Sequence, residues 1–342
     1  MLLCFHEKNG RDNNEMSSSV MEGLKVSKNG FELSCILKDV PVSFVNGLRR
    51  TLLSEIPTVV LGNIEIIENT TQMPHEMLKH RISMLPIRAK PDDVKTIKEG
   101  EISLHILANK DQVGVQTVTT KHFNSHPRPD LLMTDRDLDE PLIFIRLRPG
   151  ETISLKAGLT VSSGEGISQV CTATTSWTVD DEMVKVKRKE IEDAKGDLKL
   201  FDNFMYQRCY YRDHTGRPNV FNLSVESVGV LKSIEILDYA ITILKQKIES
   251  WLKFALENIN RESESGVYSI TSVEGGHTIG ALFQEVMCYT EDIKFVSYDI
   301  PHPLKPDMVF RFLSVKSPEI VLKEASETIL SYCSGVEKTI SK

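Results

Sequence analysis

The sequence predicts an α+β protein of two similar modules, packed through their helices about a pseudo-two-fold axis, with a β-rich insert domain in the first. Three observations carry this. The order strand, helix, strands, long helix occurs twice. Each copy ends in a long helix with an apolar seam at three-four spacing. A run of short β-patterned segments separated by Pro, Gly and Asp interrupts the first copy alone.

At 342 residues the chain exceeds what one hydrophobic core usually fills. Lys plus Arg is 41 against 48 Asp plus Glu, a formal net charge of −7, which argues against a surface built to grip nucleic acid. No stretch approaches the roughly 20 apolar residues that span a bilayer. MLLCFHEKNG reaches Glu7 too early for a signal-peptide core. The expectation is an intracellular protein with no membrane segment.

Residues 1–22 are polar and aperiodic and read as a mobile tail. Lys28-Asn29-Gly30 is an Asn-Gly turn between short strands, hence a hairpin. In 42–56, Phe44, Leu48, Leu52 and Ile56 recur every four residues as a buried helical stripe. Pro41 suits the helix start and Pro57 its stop. Residues 59–68 are β-rich. Pro74 opens a short helix with Leu78, Ile82 and Leu85 on one side, and Pro86 ends it.

From 88 to 219 the β-patterned runs EISLHIL, VGVQTVTT, LIFIRLR and TISLKAGLTV predict the insert, with a charge-dense tail at 180–199 that fits a solvated helix or an ordered loop. Residues 220–228 return as a strand. Ile234, Leu237, Ile241, Leu244, Ile248, Trp251 and Ala255 form a heptad-like seam. Residues 259–266 read as a linker. Residues 267–342 then repeat the pattern. A helix carries Ile279, Leu282, Phe283 and Val286. Two strands flank PHPLKP, and a last helix opens at Ser317-Pro318. The expected partition is 1–22 tail, 23–87 with 220–258 first module, 88–219 insert, 259–266 linker and 267–342 second module.

The six cysteines lie far apart with no C-x-x-C pair. Zinc sites need ligands paired at short spacing, so no metal is expected. His122 and His126 sit in a proline-flanked loop without a third ligand. Phosphate-loop, H-E-x-x-H and polymerase-type D-x-D-G-D motifs are missing, so no catalytic centre or cofactor is expected. Asn46, Arg49 and Arg50 share one polar helix face, which by itself is an ordinary solvated face. His80 and Arg81 fit a helix end bonding backbone carbonyls. Gly275, Gly276 and Gly280 lack the lysine of a phosphate loop and suit close helix–helix approach. His277 suits a helix cap and contact residue. Asn69 and Asn222 match N-x-[ST] by chance.

FVNGLRRTLLSEIPT, IEIIENT and MPHEMLKHRISMLPI, followed far downstream by FNLSVESVGVLKSIEILDYAITILKQKI, resemble the α-type assembly subunit of cellular RNA polymerases: the third-largest subunit of polymerase II and its archaeal D counterpart. RPGETISLKAGLTVSSGEGI resembles the insert of that family. GGHTIGALFQEVM, then FVSYDIPHPLKPDMVFRFLSV, is similar to its small partner, the eleventh subunit of polymerase II, archaeal L. The two are normally separate chains; here they are joined through 258–266, as in large nucleocytoplasmic DNA viruses. Ala281 replaces the family's usual Asn. The insert lacks the cysteine cluster of many relatives, so no metal carries over.

The resemblance implies two α-type dimerisation modules and a non-catalytic platform for the largest and second-largest polymerase subunits. Small zinc-binding subunits of the tenth and twelfth type would be further partners, with little direct DNA contact. Magnesium would belong to the catalytic subunits alone. The location implied is the virion and the host cytoplasm, with the nucleus as the alternative. The interface residues it implies are Asn46, Leu48, Arg49, Arg50, Leu52, His80, Arg81, Gly276, His277, Thr278, Ile279, Gly280, Leu282 and Phe283. Two rivals stand beside it: a homodimeric binding module with halves exchanged between chains, and an α+β enzyme pairing His277 with Cys288.

Overall fold

The computed structural model describes residues 20–90, 100–111, 113–126, 128–163, 170–262, 267–302 and 304–340. The chain opens on an antiparallel hairpin, β1 (Met21–Val26) and β2 (Glu32–Lys38). Gly30 turns it at φ 79°, a conformation glycine adopts without steric cost. Helix α1 (Val42–Ser54) starts after Pro41 and buries Phe44, Val45, Leu48 and Leu52, the predicted stripe.

Strand β3 (Thr58–Asn69) and helix α2 (His75–Ser83) follow. Then come β4 (Glu101–Leu107), β5 (Gln116–Thr119), β6 (Asn124–His126), β7 (Ile143–Leu147) and β8 (Thr152–Ser162). They make a four-stranded sheet of order β3-β8-β4-β6 and a two-stranded β5-β7 pair. Leu78 and Ile82 of α2 join Leu104, Phe144 and Leu155 in a core of their own. Asn69 shapes the entry to α2: its Oδ1 accepts from the Thr71 N–H at 3.0 Å and its Nδ2 donates to the Met73 carbonyl at 2.9 Å.

The chain then returns through β9 (Cys171–Trp177), helix α3 (Asp181–Asp193), short helical turns to Arg208, and β10 (Val220–Ser227). The first module's sheet has the order β1-β2-β10-β9. Its long helix is α4 (Ser233–Glu257). The second module repeats this plan: β11 (Asn260–Arg261), β12 (Tyr268–Ser272), α5 (Gly276–Cys288), β13 (Ile293–Asp299), β14 (Met308–Ser314) and α6 (Pro318–Ile340). Its sheet order is β11-β12-β14-β13. Strand for strand the two sheets correspond, with β9 in the place of β13 and β1 in the place of β11.

This correspondence corrects the predicted partition. Strand β9 lies in the first module's sheet rather than in the insert, paired with β10 from Phe221↔Trp177 to Ser227↔Cys171. Only small residues, Cys171 and Ala173, mark its buried side, so it shows no apolar alternation. Conversely, β3 and α2 belong to the insert, because β3 pairs with β8 along its length. Part of the expected linker is strand β11, bonded to β12. Met21 and Glu22 of the expected tail begin β1; most of the tail expectation lies outside the described residues. The 180–199 segment holds α3, capped by Asp180 Oδ1 on the Glu182 and Met183 N–H groups and burying no residue. His122 ends a 3-10 turn and His126 lies in β6, not in a loop.

Both modules share one hydrophobic core. Leu48 and Leu52 of α1, Leu244, Ile248 and Trp251 of α4, Leu282 and Phe283 of α5, and Ile329 and Val336 of α6 are all in it. Helix α1 packs on α5 and α4 packs on α6. Trp251 from the first half stands 4.4 Å from the Phe283 ring and 5.5 Å from Phe310 of the second. Phe283→Ala should therefore cost about 3–5 kcal/mol. The unfolding transitions read by Trp fluorescence and by the circular dichroism of the long helices should stay coincident, because neither dimerisation module has a core separate from the other's.

Candidate subunit interface

The residues that resemblance assigns to an interface fall into two sets. Leu48, Leu52, Ile279, Leu282 and Phe283 are buried to 1% exposure or less. They join the two halves of this chain and face no outside partner. Gly47 lets α1 and α5 approach: a Cβ there would stand 3.3 Å from Thr278 Cγ2 and 3.5 Å from Leu282 Cδ1. Sequence reasoning expected that role of Gly275, Gly276 and Gly280. The structure corrects it for Gly276 and Gly280. A Cβ on Gly280 would strike Tyr298 and Met308 of its own module's sheet, at 2.6 and 2.7 Å. Gly275, at φ 97°, is the N-cap of α5 and presses on Trp251. Gly276, at φ 50°, has open space where a side chain would sit.

Asn46 and Arg50 are exposed and Arg49 is half-buried on the outer face of α1. Arg49 Nη2 donates to Asn46 Oδ1 at 2.8 Å, one turn back. No carboxylate among the described residues forms an ion pair with Arg50. Its charge instead acts on Tyr298 in β13, whose phenol is pushed up by burial and drawn back by that guanidinium. The His277 ring meets Tyr298 edge-on at 5.9 Å. Thus the exposed Arg50 of the first half acts across the pseudo-two-fold on the half-buried Tyr298 of the second, which the exposed His277 flanks. His277 does not cap α5, because Gly275 holds the N-cap with no side-chain bond.

Arg81 is committed within the chain. Its Nε and Nη2 donate to the Phe144 carbonyl at 3.0 and 2.6 Å, tying α2 to β7 rather than to a helix end. His80 stands exposed, its own carbonyl accepting from Ser83 Oγ at 2.7 Å.

Sequence reasoning missed a polar contact between the halves. Glu285 of α5 accepts the Ser43 N–H of α1 at 2.8 Å, placing a carboxylate at the positive end of that helix. Arg217 approaches the same carboxylate at 3.9 Å and donates to the Tyr289 hydroxyl at 2.6 Å. Glu285 sits in a register that nothing local distinguishes, so no sequence signal pointed to it.

His277 and Cys288 stand at opposite ends of one 13-residue helix, about 16 Å apart at about 1.5 Å per residue, so they cannot form a nucleophile–base pair. Among the described residues no group of three or more His, Cys, Asp or Glu is placed to hold a metal. Cys35, Cys171 and Cys333 are buried, and burial lifts each thiol from 9.0 to about 12.

The sequence profile of the RNA polymerase Rpb3/Rpb11 dimerisation domain matches residues 34–248, and a second profile of the same domain matches 268–339. The chain is 28% identical over 289 residues to the DNA-directed RNA polymerases I and III subunit rpac1 of Dictyostelium discoideum, covering 70% of this chain and 84% of that protein. It is 24% identical over 215 residues to the DNA-directed RNA polymerase subunit Rpo3 of Methanocaldococcus jannaschii, covering 62% and 85%. A conjugation stage-specific protein of Tetrahymena thermophila is 24% identical over 312 residues, covering 72% and 99%.

Two outcomes check this division. Leu48→Ala should cost about 2–5 kcal/mol in unfolding free energy, and Arg50→Ala no more than about 0.5 kcal/mol. In native protein at mild alkaline pH a thiol reagent should modify the half-buried Cys288 before Cys35, Cys171 or Cys333, since the thiolate is the reactive form. Peptide mapping of the modified cysteines reads the order.

Proposed function

Because this chain belongs to the RNA polymerase Rpb3/Rpb11 dimerisation-domain family, we propose that it clasps both dimerisation halves in cis and seats the second-largest polymerase subunit on the outer face of α1. It is a non-catalytic assembly subunit of a multisubunit DNA-directed RNA polymerase, acting in transcription. One observation supports docking on α1. Asn46, Arg49 and Arg50 share an outward helix face, and Arg50 meets no carboxylate of its own chain among the described residues.

The physical case rests on what a guanidinium does at an interface. It makes two parallel hydrogen bonds to a carboxylate, stays charged, and is weakly hydrated for a cation. Arginine is enriched in interface cores for those reasons. Tyr298 and His277 add aromatic surface beside it. The clasp supplies rigidity: with α1 locked on α5 and α4 on α6, little ordering entropy is lost on docking.

The largest subunit and the small zinc-binding subunits of the tenth and twelfth type are proposed as further partners, on family grounds. Magnesium is assigned to the catalytic subunits, because two-metal nucleotidyl transfer needs clustered carboxylates. The joining of both halves in one chain supports a viral polymerase, working in the virion and the host cytoplasm. No described helix is long and apolar enough to cross a membrane, so no anchoring in a bilayer through those helices is proposed.

Affinity capture of the tagged chain, with mass spectrometry of what co-purifies, tests the reading. The unaltered chain should recover large polymerase subunits. Arg49→Ala with Arg50→Ala should lose the second-largest while keeping the native circular dichroism spectrum. Undiminished recovery would move the docking surface elsewhere.

A further inference from the structure

The insert and the first module have separate hydrophobic cores, and ion pairs bridge the seam between them. The chain crosses this seam after α1 and again before β9. Units with distinct cores on one chain move relative to each other by default unless something pins them. Here charged side chains do the pinning. Arg136, in the insert loop between β6 and β7, is only 12% exposed. Its Nη1 donates to the Ser227 carbonyl at 2.7 Å and its Nη2 to Glu226 Oε1 at 2.9 Å, both at the end of β10. Glu32 on β2 lies 3.8 Å away.

The receiving side explains why a cation belongs there. Glu226 and Glu32 are direct cross-strand partners in the β2–β10 register. Like charges facing each other destabilise a sheet, and a guanidinium reaching both relieves that repulsion. The loop presents the arginine from a braced frame. The Asp135 N–H donates to the Glu140 carbonyl at 2.7 Å, Thr134 Oγ1 to Asp139 Oδ1 at 2.8 Å, and Asp137 grips the guanidinium from its own side at 2.9 and 3.0 Å. That pairing holds the Asp137 carboxyl below its ordinary value. Beside it, Met133 packs against Gly229, where a Cβ would stand 3.2 Å from Met133 Cε. A second tie runs from Lys90 of the insert to Glu235 at the start of α4, at 2.9 Å.

We propose that the insert is a hinged arm and that Arg136, plugged into the Glu32–Glu226 carboxylate pair with Lys90–Glu235 as a second tie, is the positioning residue that sets its angle on the first module. The inference does not depend on which subunits dock. Opening the clamp frees the insert about its two chain crossings while the clasped modules stay intact, since their core lies elsewhere. The angle of the arm then decides where its β-sheets stand relative to the α1 face.

Amide exchange and small-angle scattering on the full chain test this. Arg136→Ala should raise exchange at Gly229, whose N–H is held by Ser227 Oγ at 3.0 Å, by at least about tenfold, and should increase the radius of gyration. Exchange at Leu244 and Ile248 in α4 should not change. Arg136→Glu with Glu226→Arg should restore slow exchange. Unchanged exchange and unchanged scattering in Arg136→Ala would overturn the clamp. If that variant loses the whole fold, the milder Glu226→Gln decides: faster exchange at Gly229 supports the clamp, and unaltered exchange refutes it.

Discussion

The structure depends on one apolar seam. Helix stripes from the two halves of the chain meet in a single core, with Trp251 of α4 set between Phe283 and Phe310. Each such side chain gains about 1.5–3 kcal/mol on burial, and neither half could bury its stripe alone. Having both halves on one polypeptide makes that burial intramolecular, so it does not dilute away. The seam also sets the geometry outside it. It fixes α1 against α5, and so fixes Arg50 beside Tyr298 and His277, which come from opposite halves. That outer arrangement is a consequence of the buried one.

Much of this was legible in the sequence, and the reasons differ by element. The stripe Phe44, Leu48, Leu52 and the seam Leu237 to Ala255 lie on one face of long helices, where a 3.6-residue period accumulates over several turns. Strand β9 was missed because seven residues with Cys171 and Ala173 as their buried members show no apolar alternation. Strand β3 was placed with the wrong unit because it follows α1 closely, and nearness in sequence does not say which strand will pair with it. Glu285, Arg217 and Arg136 were invisible for a related reason. Each acts on a group brought near only by the fold, and a charged residue on a helix or loop looks the same whether solvated or paired. The motif residues fared unevenly. In the GGHTIG run Gly275 caps α5 close against Trp251 of α4 and Gly280 lets the helix approach a sheet, while Gly47 lets α1 and α5 meet.

Burial and charge are divided between the two joints of the molecule. Between the modules the contact is apolar, with Glu285 at the start of α1 and the Lys245–Glu337 pair at its margins. Between the insert and its module the two cores are separate, and ion pairs bridge them. An apolar joint holds the halves as one rigid body; a polar joint permits an angle to be set and reset. The first property suits the base of an assembly subunit, and the proposed hinge places the second at its edge.

The central claim is that the two halves clasp within one molecule. Zero-length carbodiimide coupling tests it directly, because Lys245 of α4 and Glu337 of α6 pair across the seam and both remain partly accessible. Equal amounts of nitrogen-15-labelled and unlabelled chain would be mixed, unfolded, refolded together, cross-linked and digested. The account predicts that the Lys245–Glu337 linked peptides carry one isotope throughout, all labelled or all unlabelled. Linked peptides of mixed isotope, at a fraction near one half, would mean that the halves pair between chains and would contradict it.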